Sequence, residues 1–204
     1  MKMTQYCKRD FFEKLALRHP RDVQLIEWAY WIAKNAHREQ KRDHGERYFE
    51  HCKRVALILS ERDNCTATEI ILALLHDCIE DTYIPESMLR HLFYDFISDA
   101  LATLTKFTVI YDTKTGSVLE KKKKTNEKYF SLIAKAPLYV RRVKLADRLD
   151  NLRGMETWTN ERILRYCDET EEYILPIARN CDEFFYRELT KNIAHLELTT
   201  QRDK

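Results

Sequence analysis

The chain has little glycine and little proline, three and four residues respectively in 204. So few turn-formers argue against a fold of many short strands, and abundant Leu, Ala, Glu, Lys and Arg favour helix. Cysteine pairs with metal-binding spacing are missing. Cys7, Cys52, Cys65, Cys78, Cys167 and Cys181 are scattered with no C-x-x-C among them, so they read as reduced thiols rather than a zinc knuckle or disulfide frame. Charge of one sign is lacking too: 35 Lys plus Arg stand against 33 Asp plus Glu, which argues against a dedicated nucleic-acid-binding protein. No apolar run approaches membrane-spanning length, and residues 1–9 hold no apolar signal-type segment. Internal repeats and low-complexity segments are absent as well. The expectation is a soluble, cytoplasmic, all-α protein with no membrane and no nucleic-acid partner. Its length suffices for one sizeable core and does not require two.

Helical periodicity carries most of the chain. Residues 1–20 predict a short amphipathic helix with a Phe11, Phe12, Leu15, Leu17 stripe, closed at His19-Pro20. A long helix follows from Asp22, a candidate N-cap, to about Lys41. The charged stretch 40–47 is a turn around Gly45, and Tyr48 to Glu61 is the next helix. Thr66-x-x-Glu69 is a capping-box signature that starts another. Helices are predicted from Pro85 to about Tyr94 and over 97–106. Residues 107–124 break the pattern: a short hairpin or a loop precedes Lys121-Lys122-Lys123-Lys124, which reads as a solvated helix start or an anion-steering patch. Helix resumes to Pro137 and again over 139–155. Thr159 or Asn160 can cap one through Cys167 to Tyr173, Pro176 opens the last long helix, and the tail beyond Leu196 is expected to fray.

Two stretches carry chemistry. In the first, an apolar run from Ile70 to Leu75 delivers His76-Asp77 and then Glu80-Asp81. On a continuous helix, His76 shares a face with Glu80 and Asp77 with Asp81. A helix end with solvated acids is the plain alternative, but burying such groups is costly unless they pair or bind metal. In the second, Val143 to Arg153, the leucines 145, 149 and 152 keep a core stripe while Lys144, Asp147 and Asn151 project along one edge. His51 lies on the core side of its own helix, where a lone histidine is more often a hydrogen-bonded core residue than a ligand. Taken together, His51, His76, Asp77 and Asp147 form a mixed nitrogen and oxygen set without thiolate, suited to Mn²⁺, Fe²⁺, Mg²⁺ or Zn²⁺.

This H…HD…D pattern resembles the HD-domain phosphohydrolases, and more narrowly the RelA/SpoT-type alarmone hydrolases. The resemblance rests on Ala36-His37, Gln40, Arg42, Gly45-Glu46, Tyr48 and His51, then Leu74-Leu75-His76-Asp77 with Glu80-Asp81-Thr82. It continues through Leu104-Thr105-Lys106, Lys144-Leu145-Ala146-Asp147-Arg148-Leu149, Asn151-Leu152-Arg153 and Glu169-Thr170 to Pro176-Ile177-Ala178, spanning about 22–180. The chain stops where longer members continue into a synthetase domain, so it is similar to the small single-domain members. What this implies is one HD-domain helical bundle over 1–204 with its core at 22–195. It further implies a 3′-pyrophosphohydrolase acting on guanosine tetra- or pentaphosphate. By the same resemblance, His51, His76, Asp77 and Asp147 bind one divalent ion, usually Mn²⁺, and Glu80 and Asp81 match the catalytic acidic pair. Asn151 lines the substrate site and Arg42 packs on the purine. Tyr173 and a lysine of the 121–124 run, taken as Lys122, contact the nucleotide and its phosphates. Lys144 and Arg148 either offset pyrophosphate charge or form structural ion pairs.

Three positions depart from the family pattern. Asp43 stands where a second basic residue is common, Asp150 where His or another neutral residue is common, and Gly154 where Thr is frequent. None is a member of the expected ligand set, so their expected consequence is for base and phosphate preference. Three alternatives stay open: an HD hydrolase of adenosine alarmones (including an enzymatic antitoxin) or of another nucleotide, a non-catalytic nucleotide sensor or partner-binding protein, and a nucleic-acid binder resting on Lys121 to Lys124 alone. Oligomeric state is not legible.

Overall fold

The computed structural model describes residues 8–112, 114–115 and 118–202, and over them the chain is helical apart from one hairpin. The first half runs α1 (Lys8–Arg18), α2 (Val23–Ala36), α3 (Tyr48–Ser60), α4 (Ala67–Leu75), α5 (Cys78–Asp81), α6 (Glu86–Leu92) and α7 (Asp95–Leu104). The hairpin of β1 (Phe107–Tyr111) and β2 (Val118–Lys123) follows. Then come α8 (Asn126–Lys135), α9 (Leu138–Arg153), α10 (Asn160–Glu169), a π-helical turn (Thr170–Ile174), α11 (Leu175–Arg179) and α12 (Glu183–Arg202).

The capping box forms as the spacing predicts. The Thr66 hydroxyl accepts from the Glu69 N–H at 3.2 Å, and the Glu69 carboxylate accepts from the Thr66 N–H at 2.7 Å. Every residue of α4 from Glu69 to Leu75 is buried, as befits a helix that is apolar all round. It packs against α2, α3 and α9, while α12 covers another side of α9. Glu69 is tolerated inside because Arg142 of α9 meets it at 3.0 Å.

Several boundaries differ from expectation. The helix from Asp22 ends at Ala36, and Asp22 sits at the N-cap position without a side-chain cap bond. Residues 41 and 47 instead pair as an antiparallel bridge around Gly45, whose φ of +87° suits glycine. The lysine run is not a helix start: Lys121, Lys122 and Lys123 pair with Val109, Thr108 and Phe107 across the hairpin. The Lys124 ammonium then donates to the Thr105 and Ala102 carbonyls at 2.6 and 3.3 Å, closing the C-terminus of α7 where a cation is favoured. Pro176 lies in the first turn of short α11 rather than opening the last long helix. Proline has no N–H and its ring collides with the carbonyl four residues back in a regular helix. The chain passes this point through the π-helical turn, with Leu175 N–H bonded to the Thr170 carbonyl. The last helix does not fray at 196: α12 continues to Arg202, and Thr200 is buried.

The cysteines at 52, 65, 78, 167 and 181 are free, while Cys7 falls outside the described residues, as do Thr113, Gly116 and Ser117. Among the described residues no helix is long and apolar enough to cross a membrane. Removing the box hydroxyl by Thr66→Ala is expected to cost about 1 kcal/mol of stability, read as a lower urea midpoint with an unchanged slope.

Candidate metal centre and active site

The helix that carries the first motif stops at Leu75. His76 and Asp77 form a two-residue interruption before α5, with Asp77 at φ −98°, ψ −1°. The pairs His76/Glu80 and Asp77/Asp81 therefore do not ride one continuous helix. One α-turn survives across the break, Asp81 N–H to the Asp77 carbonyl at 2.9 Å, and it keeps the acids on a common side. Tyr48, the first residue of α3, shares its hydroxyl between Asp77 Oδ2 at 2.8 Å and Asp81 Oδ2 at 3.2 Å.

Three elements converge at this break. His51 of α3 brings Nε2 within 3.3 Å of Asp147 Oδ1 and 3.7 Å of Asp77 Oδ2. His76 brings Nε2 within 2.9 Å of Asp77 Oδ2 and 3.7 Å of Asp147 Oδ1. Its other ring nitrogen sits 2.9 Å from the Ala73 carbonyl, so Nδ1 carries the proton and Nε2 faces inward. One ligand atom each of His51, His76 and Asp77 lies within 4.8 Å of the others. Asp147 of α9 joins through the two imidazoles and is held from behind by Lys144 Nζ at 2.7 Å and Asn151 Nδ2 at 2.7 Å. His76 Nε2 is buried without a hydrogen-bond partner. Such an atom, in a nest of carboxylate oxygens with a second imidazole 5.2 Å away, fits a divalent cation at ligand distances of about 2 Å.

Electrostatics agree with that chemistry. Burial opposes the charged form of Asp77, but His76 outweighs it and holds the carboxyl below its usual range. Burial likewise opposes charge on Asp147, where Lys144, His51 and His76 prevail. Toward the open side, burial and then the Asp77 and Glu80 carboxylates push Asp81 up to about 6. Burial also raises Glu80, although its carboxylate accepts the Lys106 N–H at 2.7 Å. These acids line one cleft with Tyr48, Lys106, Lys144 and Asn151.

The other expected contacts divide. Asn151 and Lys144 line the cleft, with Lys144 committed to the ion pair with Asp147. Arg42 donates to Asn151 Oδ1 at 2.7 Å and to Asp150 Oδ2 at 3.2 Å, so it is tied to the neighbours of Asp147. Arg148 has no exposed surface. It binds Glu169 at 2.6 Å and Thr170 at 3.1 Å and lies over the Tyr166 ring, which makes it structural rather than substrate-facing. Tyr173 is away from the cleft, stacked on Phe130 at 4.8 Å with its hydroxyl toward Glu127. Lys122 is exposed on β2 outside the cleft. Lys121 of the same run donates to the Glu80 carbonyl at 2.8 Å.

The cleft cation missed as a contact is Lys106. It belongs to a stretch that contributed to the resemblance but carried no assigned role. Tyr129 and Tyr166 were missed too, because aromatic spacing on a helix does not distinguish core from cleft. Asp150 is a sharper correction. It was placed apart from the metal set, yet its Oδ2 lies 2.6 Å from His51 Nδ1.

A family profile described as an HD domain matches residues 29–180. The chain belongs to the HD-domain family. An HD domain binds a divalent metal, and here the His51, His76 and Asp77 cluster is where such ligands meet. A protein of Mycoplasma genitalium named as a probable guanosine-3′,5′-bis(diphosphate) 3′-pyrophosphohydrolase is 35% identical over 182 residues, 87% of this chain and 25% of that protein. One of Aquifex aeolicus, named as the same enzyme, is 33% identical over 180 residues, covering 87% and 24%. The chain thus spans about a quarter of the length of these curated relatives. A solved structure described as a metazoan ortholog of SpoT that hydrolyzes ppGpp superposes with a TM-score of 0.69 at 25% identity, covering 83% of this chain and 94% of that one. The helical fold is thus shared over nearly all of that structure.

Because Arg148 is interior to this bundle, Arg148→Met is expected to lower stability by about 3 kcal/mol in urea unfolding. Tyr173→Ala is expected to leave Mn²⁺ affinity unchanged in a direct titration.

Proposed function

We propose that the protein is a metal-dependent hydrolase that releases pyrophosphate from the 3′ position of guanosine tetra- or pentaphosphate, leaving GDP or GTP. One observation carries this reading: the imidazole and carboxylate cluster and the acids Glu80 and Asp81 open onto a single cleft that also presents Lys106 and Lys144. The names of the relatives supply the substrate class, a nucleotide alarmone, and the bundle over 1–204 is read as one domain. His51, His76, Asp77 and Asp147 would hold one divalent ion, Mn²⁺ by the resemblance stated above. When bound, that ion lowers the pKa of water and offsets phosphoryl charge.

The chain's own residues account for the remaining steps. Glu80 or Asp81 takes a proton from the water that attacks the 3′-phosphorus, a role worth ~10²–10⁴-fold in rate. The bond from that phosphorus to the ribose 3′ oxygen breaks, and the oxygen collects a proton to become the hydroxyl of the product. Lys106 faces the pyrophosphate and stabilises the charge it carries away, and Lys144, paired with Asp147, adds positive potential from the cleft wall. Asn151, held by Arg42 and bonded to Asp147, presents its amide at the cleft floor beside the reacting centre. Asp81 is oriented by Tyr48 from one side, and its backbone carbonyl accepts from Gln40 Nε2 at 2.5 Å.

Product analysis with purified protein tests the reading. Guanosine tetraphosphate and Mn²⁺ are expected to yield GDP and pyrophosphate, with release stopped by a chelator and absent in Asp77→Ala and Asp147→Ala that keep a native circular dichroism spectrum. Glu80→Gln is expected to lower kcat by ~10²–10⁴-fold while leaving Mn²⁺ bound. Full activity in either aspartate variant would refute the mechanism. Faster turnover of an adenosine alarmone in the same assay would move the substrate assignment to that base.

A further inference from the structure

Behind the metal cluster lies a second layer of charge that none of the roles above uses. Asp150 is 2% exposed and does not line the cleft. Its Oδ2 meets His51 Nδ1 at 2.6 Å, Arg54 Nη2 at 3.2 Å and Arg42 Nη1 at 3.2 Å, and its Oδ1 meets Arg54 Nε at 2.7 Å. Arg54 is itself held by both Glu46 oxygens at 2.7 Å. The chain of contacts runs Glu46, Arg54, Asp150, His51, and ends at the imidazole face that looks toward Asp77 and Asp147.

The hydrogen-bond inventory makes this arrangement directional. A guanidinium has only donors and a carboxylate flanked by two of them is an acceptor only. His51 must therefore supply the hydrogen in its contact with Asp150, which puts the ring proton on Nδ1. The neutral ring then has its lone pair on Nε2, the atom 3.3 Å from Asp147 Oδ1. A carboxylate gripping the far nitrogen of a ligating histidine is the arrangement that fixes ring orientation and raises ligand basicity at metal sites. His76 reaches the same end by a neutral route, with the Ala73 carbonyl as its acceptor. The two histidines are thus braced differently, and only the brace on His51 is charged and anchored to another helix.

We propose that Asp150 is a positioning residue for the metal centre: clamped by Arg54 and Arg42, it locks His51 in the Nδ1–H form and aims Nε2 at the ion. This rests on His51 being a ligand, as read above, and assigns a residue outside the ligand set to metal retention. It also relocates the meaning of a departure from the family pattern. Asp150 acts on the ion rather than on base preference. Arg42 links the brace on His51 to the support of Asp147, because it donates both to Asp150 and to Asn151, the residue that holds Asp147.

The test is a Mn²⁺ titration of the full chain, followed by the electron paramagnetic resonance signal of free Mn²⁺, with wild type, Asp150→Asn, Arg54→Gln and Asp77→Asn. Asp150→Asn is expected to weaken Mn²⁺ binding by ~10–100-fold, and Arg54→Gln to weaken it in the same direction by less. Nitrogen-15 spectra of the metal-free protein, taken above the titration of the ring, are expected to show His51 protonated only at Nδ1 in wild type and as a tautomer mixture in Asp150→Asn. A purely structural role would lower the urea midpoint of the metal-free protein and leave the His51 tautomer intact. Unchanged Mn²⁺ affinity in Asp150→Asn, with Asp77→Asn still defective, overturns the proposal alone. Equal affinity in wild type and Asp77→Asn overturns the ligand assignment and the proposal with it. Should Asp150→Asn fail to fold, Arg54→Gln, whose side chain is nearer the surface, decides by the same two readouts.

Discussion

Five charged side chains on α9 are buried, Arg142, Lys144, Asp147, Arg148 and Asp150, and the arrangement of the bundle follows from pairing them. An unpaired charge in the interior costs several kcal/mol or more. Of the five, only Lys144 and Asp147 pair within the helix; the other partners come from elsewhere. Arg142 meets Glu69 of α4 and Asp182, Arg148 meets Glu169 of α10, and Asp150 meets His51 and Arg54 of α3. Sliding α9 by one turn would strand all of these at once. The register that satisfies them is also the one that sets Asp147 beside both imidazoles. The pairing of buried charge and the meeting of Asp147 with the two imidazoles are therefore the same constraint, met at the crossing of α3, α4 and α9.

The cleft is built outward from that crossing. The break after Leu75 turns His76 and Asp77 into the cluster and leaves α5 to carry Glu80 and Asp81 along the rim. The hairpin then serves the helices it touches: Lys121 and Lys124 donate to carbonyls at the ends of α5 and α7 rather than reaching into solvent. Two lysines of a run that reads as a solvated helix start or an anion-steering patch are thereby spent on local structure. The cation that faces the acids, Lys106, is the residue just before β1.

How much of this was legible differed by type of signal. The capping box at Thr66, the burial of the Ile70 to Leu75 run and the grouping of Lys144, Asp147 and Asn151 all follow from spacing within one helix. The HD motif made the joint set visible where His51 alone was ambiguous. Arg148, left open between offsetting substrate charge and a structural ion pair, takes the second role through Glu169, whereas Tyr173, assigned to the nucleotide by the resemblance alone, stacks on Phe130. Pro176 reads as a helix start, which it is for five residues only, and a π-helical turn has no sequence signature comparable to a cap.

Periodicity and capping, which act over a few residues, determined from the sequence alone that the chain is helical, where its most buried helix begins, and which polar groups share a face. Tertiary structure decided which of those polar groups meet. His51 and Asp150 are 99 residues apart, and Arg42 and Asn151 are 109 apart. No local rule relates such positions. Only the packing of α3 against α9 sets Asp147 beside the His51 imidazole and Asp150 behind it.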